Sequence, residues 1–166
     1  MSYLLDTNSY IQAKNTHYRM GFCPGFWDWL DSAFDAGKIS SVSLVYRELI
    51  DFGDELSSWA KERPDHFLPV EDSNTQDAYE QITRFVMSLP LSRRTEKARF
   101  LDGADPWLIA KASVTGQTVV THEVLVPATS QKIKIPNICR QFNVPYVSAF
   151  DLLDTLKARF VLGVQD

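Results

Sequence analysis

The sequence predicts an α/β fold in which a mainly parallel sheet lies between layers of helices. Short apolar runs typical of buried strands alternate along the chain with longer segments typical of helices. Each expected strand is also separated from the next by at least one expected helix, and strands connected in this way pair in parallel. The chain has 166 residues, 45% of them hydrophobic, and shows no repeat or linker, so we expect one domain over residues 1–166.

Five short apolar runs are expected to form the strands. The first and the fourth are made of apolar or β-branched residues without interruption, which is typical of strands buried on both faces. In chain order, the expected strands are Tyr3–Leu5, Ile39–Val42, residues 67–70, Thr118–Val120 and residues 144–147.

Proline and glycine mark the ends of two expected helices, because proline is favoured in the first helical turn and glycine directly after the last. Pro24 and Gly37 bound one of them, and Asp105 and Gly116 bound a second, strongly apolar one. The other expected helices cover residues 44–52, 56–61 and 75–89, a segment beginning at Pro136, and a C-terminal segment capped by Ser148. The polar and basic residues 91–99 are expected to form a loop, and residues 122–134 are expected to be irregular.

Charge and composition restrict the function. The net charge of −4 argues against a protein whose whole surface binds nucleic acid. It is compatible with a metal nuclease, because a carboxylate cluster lowers the formal charge and divalent cations restore it locally. No apolar run approaches the roughly 18 to 20 residues that cross a bilayer, and the first residues lack the basic segment of a signal peptide. We therefore expect a cytoplasmic protein without a membrane partner. His17 and His66 show no metal-ligand spacing and are expected at the surface.

Four carboxylates stand at positions that suit a functional site. Asp6 directly follows the first strand, Glu123 comes three residues after the fourth, and ligands of parallel α/β folds bind beyond the carboxyl ends of strands. Glu48 falls inside the apolar arc of its helix, where a lone carboxylate is costly unless it is paired or binds a cation. Asp105 opens the helix that leads into the fourth strand, and Asp102, three residues earlier, is an alternative to it.

Each of these acids also has a structural interpretation. Asp6 suits a turn or a helix N-cap, and Asp105 before Pro106 is a common helix start. Glu48 could extend to water from the edge of the apolar face, and Glu123 could be a solvated loop residue. Together, however, several carboxylates without a His or Cys nucleophile favour a site for a hard cation.

The segments around these acids resemble the motifs of PIN domains. They read LLDTN from residue 4, YREL from residue 46, DPWLIAKA from residue 105 and VVTHE from residue 119. The order and approximate spacing of the motifs hold over most of the chain, although the fourth acid is Glu where Asp is commoner in the family.

The resemblance implies a three-layer α/β/α sandwich, a Mg²⁺ or Mn²⁺ site and hydrolysis of phosphodiester bonds, usually in RNA. By motif, Asp6, Glu48 and Asp105 would bind the metal, and Glu123 would be the fourth acid. Small stand-alone members are often toxins of bacterial toxin–antitoxin pairs. We therefore expect an RNA substrate and a cognate antitoxin as partners, and a homodimer is compatible with this reading.

Further polar residues are expected to support the four acids. Thr7 or Asn8 would orient Asp6 or a bound water, and Thr121 belongs to the fourth motif. Basic residues between Pro90 and Asp102 could steer the phosphate backbone, Arg93 and Arg94 above all, although an ordinary solvated loop has the same composition.

Two other classes of protein compete with this interpretation. A catalytically silent PIN-like module that binds RNA or protein would share the fold without metal binding or cleavage. Phosphotransfer domains also carry acids at strand ends. A response receiver, however, requires a lone Asp after its third strand, and a haloacid-type phosphatase requires a second Asp where Asn8 stands. The sequence therefore favours a metal-dependent endoribonuclease that leaves a 5′-phosphate and a 3′-hydroxyl.

Overall fold

The computed structural model describes residues 1–163, and its centre is a five-stranded sheet. The strand order is β3-β2-β1-β4-β5, and all neighbouring strands run parallel. The strands are β1 (Tyr3–Leu5), β2 (Ile39–Val42), β3 (Phe67–Leu68), β4 (Thr118–Val120) and β5 (Tyr146–Val147). The predicted α/β fold with a parallel central sheet is confirmed.

Helices connect the strands and flank the sheet, as expected for a three-layer α/β/α sandwich. They are α1 (Thr7–Asn15), α2 (Pro24–Asp35), α3 (Ser43–Asp51), α4 (Glu55–Lys61), α5 (Ser73–Ser88), α6 (Arg94–Asp102), α7 (Asp105–Thr115), α8 (Ile135–Gln141) and α9 (Ala149–Thr155). Within the described part of the chain, none of them has the length and apolar character needed to cross a membrane.

The central strand β1 positions the rest of the fold. It pairs with β2 on one side and β4 on the other, so that Leu4 lies between Ser40 and Val119. Leu4 and Val119 are fully buried because helices cover the sheet, which explains the uninterrupted apolar sequence of both strands. The ends of α2 and α7 are set by Gly37 and Gly116, whose positive φ angles of 67° and 71° favour glycine.

Two helices differ from the sequence-based expectation. No helix was expected for residues 7–15, yet α1 forms there, with Asp6 as its N-cap and Tyr10 and Ala13 buried on its inner side. The prediction of a loop at residues 91–99 is wrong, because a short 3₁₀ turn and α6 occupy this segment. In α6, Lys97 and Phe100 are buried against the core.

The buried position of Lys97 explains why a polar segment becomes an ordered helix. Its ammonium group donates hydrogen bonds to the carbonyl oxygens of Met87, at 3.0 Å, and Leu89. These carbonyls lie at the end of α5, where the helix has no backbone donors of its own. The lysine therefore joins α6 to α5, a tertiary contact that the sequence pattern does not reveal.

His66 also lies elsewhere than expected. The prediction that it is a surface residue is wrong, because only 1% of it is exposed. Its Nε2 lies 2.7 Å from the hydroxyl oxygen of Tyr10, and the rings of Trp59 and Phe67 pack around it. Burial lowers the pKa of His66 from 6.5 to about 4, so the imidazole is neutral near pH 7 and shares a hydrogen bond with the Tyr10 hydroxyl.

Candidate active site

The candidate site lies where the strand order of the sheet reverses, between β1 and β4. The chain moves outward from β1 through β2 to β3, and then returns to the other side of β1 for β4 and β5. Ligands in open parallel sheets bind at such a point, beyond the carboxyl ends of the strands. Asp6 follows β1, and Thr121 and Glu123 follow β4. The Thr121 hydroxyl donates a hydrogen bond of 2.6 Å to the Asp6 carboxylate and so joins the two strand ends.

Asp6 is a buried carboxylate with three hydrogen-bond donors. Its Oδ1 accepts from the backbone N–H of Ser9 at 2.7 Å and from the Ser9 hydroxyl at 2.6 Å, while Oδ2 accepts from Thr121. The N-cap interpretation of this residue is therefore confirmed. The hydrogen bonds do not outweigh burial, which raises the pKa of Asp6 from 3.8 to about 6.

Glu48 connects α3 to the start of α7. One carboxylate oxygen accepts from the backbone N–H of Ala104 at 2.9 Å, and the other accepts from the Thr7 hydroxyl. A Cβ atom at Gly103 would lie 3.4 Å from the first of these oxygens, so the backbone approaches the carboxylate closely. Glu48 thus lies half-buried at the edge of the core, where two hydrogen bonds hold its carboxylate.

Asp105 differs from the other acids because it is half-buried and no described residue donates a hydrogen bond to it. It is the first residue of α7, and the N-cap position belongs to Ala104, which has no capping side chain. Among residues 1–163, no group donates a hydrogen bond to the Asp105 carboxylate. Burial is the largest cause that raises its pKa from 3.8 to about 7, and the charges of Asp6, Glu123 and Glu48 raise it further.

Glu123 has protein partners on both carboxylate oxygens. One oxygen accepts from the backbone N–H of Ile135 at 2.7 Å, at the start of α8, and the other lies 3.4 Å from the Lys134 ammonium. The acid nevertheless contributes to the field of the site, because its charge raises the pKa of both Asp6 and Asp105. Asp6, Glu48 and Glu123 therefore all act on the pKa of Asp105, but Glu123 is held by the segment that enters α8.

An open cleft of about 490 Å³ lies over Glu48 and Asp105, whereas Asp6 and Glu123 are not part of its lining. It is lined by residues of α1, of α3 and its C-terminal end, and of the α6–α7 junction: Thr7, Asn8, Ile11, Glu48, Asp51, Phe52, Arg99, Gly103 and Asp105. The cleft therefore contains Asp105, whereas Asp102 ends α6, is exposed and does not line it. Asn8 and Thr7, expected beside Asp6, both line the cleft.

The basic residues divide into different roles. Arg93 donates a hydrogen bond of 2.7 Å to the Ala128 carbonyl and lines a separate groove, and Arg94 is exposed on α6 outside the cleft lining. Arg99 does line the cleft, although no pattern in the sequence distinguishes it from its basic neighbours. Phe52 follows α3 directly, and although helical spacing places it on the apolar side of that helix, it is 62% exposed and also lines the cleft.

The oxygen atoms of the acidic side chains suit a hard cation, although they are not arranged as a preformed metal site. In the described part of the chain, no three His, Cys, Asp or Glu side chains are placed to hold a metal ion together. Asp6 and Glu48 are turned toward protein donors. The side chains that line the cleft with Asp105 nevertheless include the carboxylates of Glu48 and Asp51 and the oxygens of Thr7 and Asn8, and oxygen ligands are those that Mg²⁺ and Mn²⁺ prefer.

Comparison with known proteins identifies a family but no activity. A family profile described as "Domain of unknown function (DUF4411)" matches residues 3–160, which is nearly the whole chain. A search of curated proteins found no significant match.

Proposed function

The chain belongs to the DUF4411 family, and we propose that it is a Mg²⁺- or Mn²⁺-dependent endoribonuclease. One observation carries the proposal. The Asp105 carboxylate lines an open cleft, receives no hydrogen bond from residues 1–163 and lies within the field of three further carboxylates. A carboxylate whose pKa is raised by neighbouring carboxylates in a cleft is typical of a functional site, and a divalent cation would neutralise such a group of charges. The preference for RNA rests on the resemblance of the four motifs to PIN domains.

Asp6, Glu48 and Asp105 would hold the metal, with Glu123 as the fourth acid. A carboxylate has about four acceptor positions, so the hydrogen bonds to Asp6 and Glu48 leave positions for a cation. Bound there, Mg²⁺ would polarise the scissile phosphate and lower the pKa of a coordinated water. Thr121 holds the Asp6 carboxylate in place, and the Ala104 N–H does the same for Glu48.

The decisive experiment is cleavage of a mixed-sequence RNA by the purified chain with Mg²⁺, with Mn²⁺ and with chelator. We expect cleavage that requires the metal and that Asp105→Asn and Asp6→Asn reduce at least by the 10- to 100-fold, roughly, that loss of an outer-shell partner costs. Asp102→Asn is the matched control, since this exposed carboxylate lies three residues away and outside the cleft. Equal loss in Asp102→Asn would show that the wrong acid has been placed in the site.

A catalytically silent PIN-like module is the second candidate function. It is favoured by the engagement of Glu48 and Glu123 with backbone N–H groups, which gives both acids a structural role. Titration calorimetry with Mn²⁺ separates the two candidates. A protein that neither binds Mn²⁺ nor cleaves RNA is the binding module, and one that does both is the nuclease.

The biological setting is proposed on the resemblance alone. We place the nuclease in the cytoplasm as the toxin of a toxin–antitoxin pair, inhibited by a cognate antitoxin, with a homodimer as a compatible assembly. Growth arrest on induced expression, relieved by Asp105→Asn, is the expected result. Unimpaired growth under expression of active enzyme would separate the nuclease from the toxin role.

A further inference from the structure

Phe52 is an aromatic side chain that the fold leaves uncovered beside the candidate site. It follows α3 directly, is 62% exposed and forms part of the same cleft wall as Glu48 and Asp105. Ile11 of α1 lines the same cleft. Large apolar side chains usually gain stability by burial. An exposed ring beside a group of carboxylates therefore offers a flat apolar face to a ligand that also carries charge.

Arg99 supplies positive charge to the same cleft. Its Nε and Nη2 donate to the Glu96 carboxylate at 3.3 and 3.1 Å, and Nη2 also donates to the Ile133 carbonyl at 2.9 Å. These contacts fix the plane of the guanidinium, while its Nη1 donates no hydrogen bond within residues 1–163. Arg99 forms no ion pair with Glu48 or Asp105 among the described residues. Its other donor is therefore available to an anion.

The remaining charges of the cleft make this arginine important for a phosphate ligand. Glu48, Asp51 and Asp105 line the cleft and repel an anion. Arg99 is the basic residue in the described lining, and its fixed planar group favours phosphate oxygens. The volume of about 490 Å³ lies within the range of sites that hold one small molecule.

We propose that Phe52 and Arg99 form a nucleotide subsite next to the reacting phosphate. The Phe52 ring stacks on one base, and the Arg99 guanidinium contacts a neighbouring backbone phosphate. The identity of the ligand rests on the proposed nuclease function, whereas the pairing of an exposed ring with a fixed guanidinium is a feature of the cleft itself.

The first test is binding of a fluorescent single-stranded RNA hexamer, measured by anisotropy in Ca²⁺. Stacking on an aromatic side chain contributes enough that Phe52→Ala should weaken binding by about 5- to 100-fold. Phe52→Tyr retains a ring and should bind like the wild type. Phe22→Ala is the matched control, because Phe22 is 66% exposed but lies outside the cleft. Unchanged binding by Phe52→Ala overturns the proposal.

Arg99 is tested by the salt dependence of the same binding. Loss of one phosphate contact should weaken binding and reduce the slope of log Kd against log salt concentration by about 0.7. Arg84→Ala, which removes an exposed arginine of α5, should leave the slope unchanged. Arg99→Ala also removes a contact to residue 133, so thermal unfolding is measured in parallel. A stability loss without a change of slope would assign Arg99 a structural role and overturn its part in the subsite.

A modified RNA places the base on the ring. An abasic site at one position of the hexamer should weaken binding to the wild type by the same factor as Phe52→Ala. The same abasic RNA should bind Phe52→Ala no more weakly than the unmodified RNA does, because the two changes remove one interaction. Independent, multiplying losses at every position would overturn the stacking contact.

Cleavage in Mg²⁺, measured beside binding, separates this inference from the proposed function. Cleavage with RNA affinity independent of Phe52 and Arg99 overturns the subsite and leaves the nuclease standing. Affinity that depends on both residues, without cleavage in Mg²⁺ or Mn²⁺, supports the subsite and overturns the nuclease. If Phe52→Ala instead dissociates a dimer in sedimentation and leaves RNA binding intact, the ring belongs to a contact between two chains, and the subsite is overturned.

Discussion

The charge repulsion around Asp105 provides a test of the site that needs no substrate. Burial and three neighbouring carboxylates raise the pKa of Asp105 from 3.8 to about 7. Between these pH values, the folded protein keeps a proton on Asp105 that the unfolded chain has released. Its contribution to stability is therefore complete below pH 3.8 and is lost as the pH rises through 7. Replacing the carboxylate by a neutral amide removes this loss.

The size of the effect follows from the pKa. The folded and unfolded pKa of Asp105 differ by about 3, and a difference of 1 corresponds to about 1.4 kcal/mol. The stability lost at pH 8 is therefore at most about 4 kcal/mol. A carboxylate in the first turn of α7 also gains up to about 1 kcal/mol from the helix dipole, which the amide gives up. We therefore expect Asp105→Asn to raise the free energy of unfolding at pH 8 by about 2–3 kcal/mol. For a chain of this size, Tm should rise by about 4–12 °C.

The assay is thermal unfolding at pH 8 and pH 5, with chelator and with excess Mn²⁺. In chelator, the gain of Asp105→Asn should be larger at pH 8 than at pH 5, where the raised pKa accounts for at most about 1.6 kcal/mol. Mn²⁺ should raise the Tm of the wild type and not that of the variant, since a ligand stabilises the state that binds it. Asp102→Asn should change stability by less than about 0.5 kcal/mol, as is usual for exposed sites.

One result would refute this reasoning. If Asp105 caps α7 in solution, Asp105→Asn will be nearly neutral at both pH values, because Asn caps as well as Asp, and Asp105→Ala will cost about 0.5–2 kcal/mol. If charge repulsion dominates, both variants will be more stable than the wild type at pH 8. The sign of the Asp105→Ala effect therefore separates a helix-capping residue from a cation ligand.

Three further predictions concern residues around the site and in the core. Burial lowers the pKa of His66 from 6.5 to about 4, so its contribution to stability is complete above pH 6.5 and is lost as the pH falls through 4. The stability advantage of the wild type over His66→Gln in urea should therefore shrink from pH 7 to pH 5, and an unchanged difference would contradict the buried neutral imidazole. Thr121→Val removes a hydrogen-bond donor to Asp6 and should lower the free energy of unfolding, measured in urea, by about 1–3 kcal/mol. The same variant should cleave RNA about 10- to 100-fold more slowly. Full activity would show that Asp6 needs no hydrogen bond from the residue that follows β4. Lys97→Met leaves two carbonyls at the end of α5 without their donor and should lower the free energy of unfolding by about 1–3 kcal/mol. RNA affinity should stay constant, and a reduced affinity would show that Lys97 binds phosphate.

The elements that the sequence predicts are those with strong local signals. The strands β1 and β4 are uninterrupted apolar runs because both of their faces are covered. The limits of α7 follow from Pro106 and from Gly116, whose positive φ ends the helix. In contrast, α1 and α6 have weak apolar stripes and depend on tertiary contacts, such as those of Lys97, which no local pattern reveals.

Some features of the candidate site could likewise be predicted from the sequence, and others could not. The positions of Asp6 and Glu123 after β1 and β4 were predicted, because strand ends of a parallel sheet meet at one edge. The sequence already favours Asp105 over Asp102 because Asp105 opens the apolar helix α7, and the structure adds that Asp102 ends α6 in an exposed position outside the cleft. Periodicity also gave no sign that Phe52 is exposed, since it places the residue on the apolar side of α3.

The partners of the four acids separate structural roles from chemical ones. Asp6 caps α1, Glu48 accepts the Ala104 N–H, and Glu123 accepts the Ile135 N–H, so each of these acids has a donor that the fold supplies. Buried polar groups in native proteins are nearly always satisfied in this way. Asp105 is half-buried in the open cleft, and partial burial and repulsion by neighbouring carboxylates raise its pKa, while no described residue donates a hydrogen bond to it. A fold that needed these acids only for its own stability would have no use for a carboxylate at position 105, which is why we assign that position to a ligand.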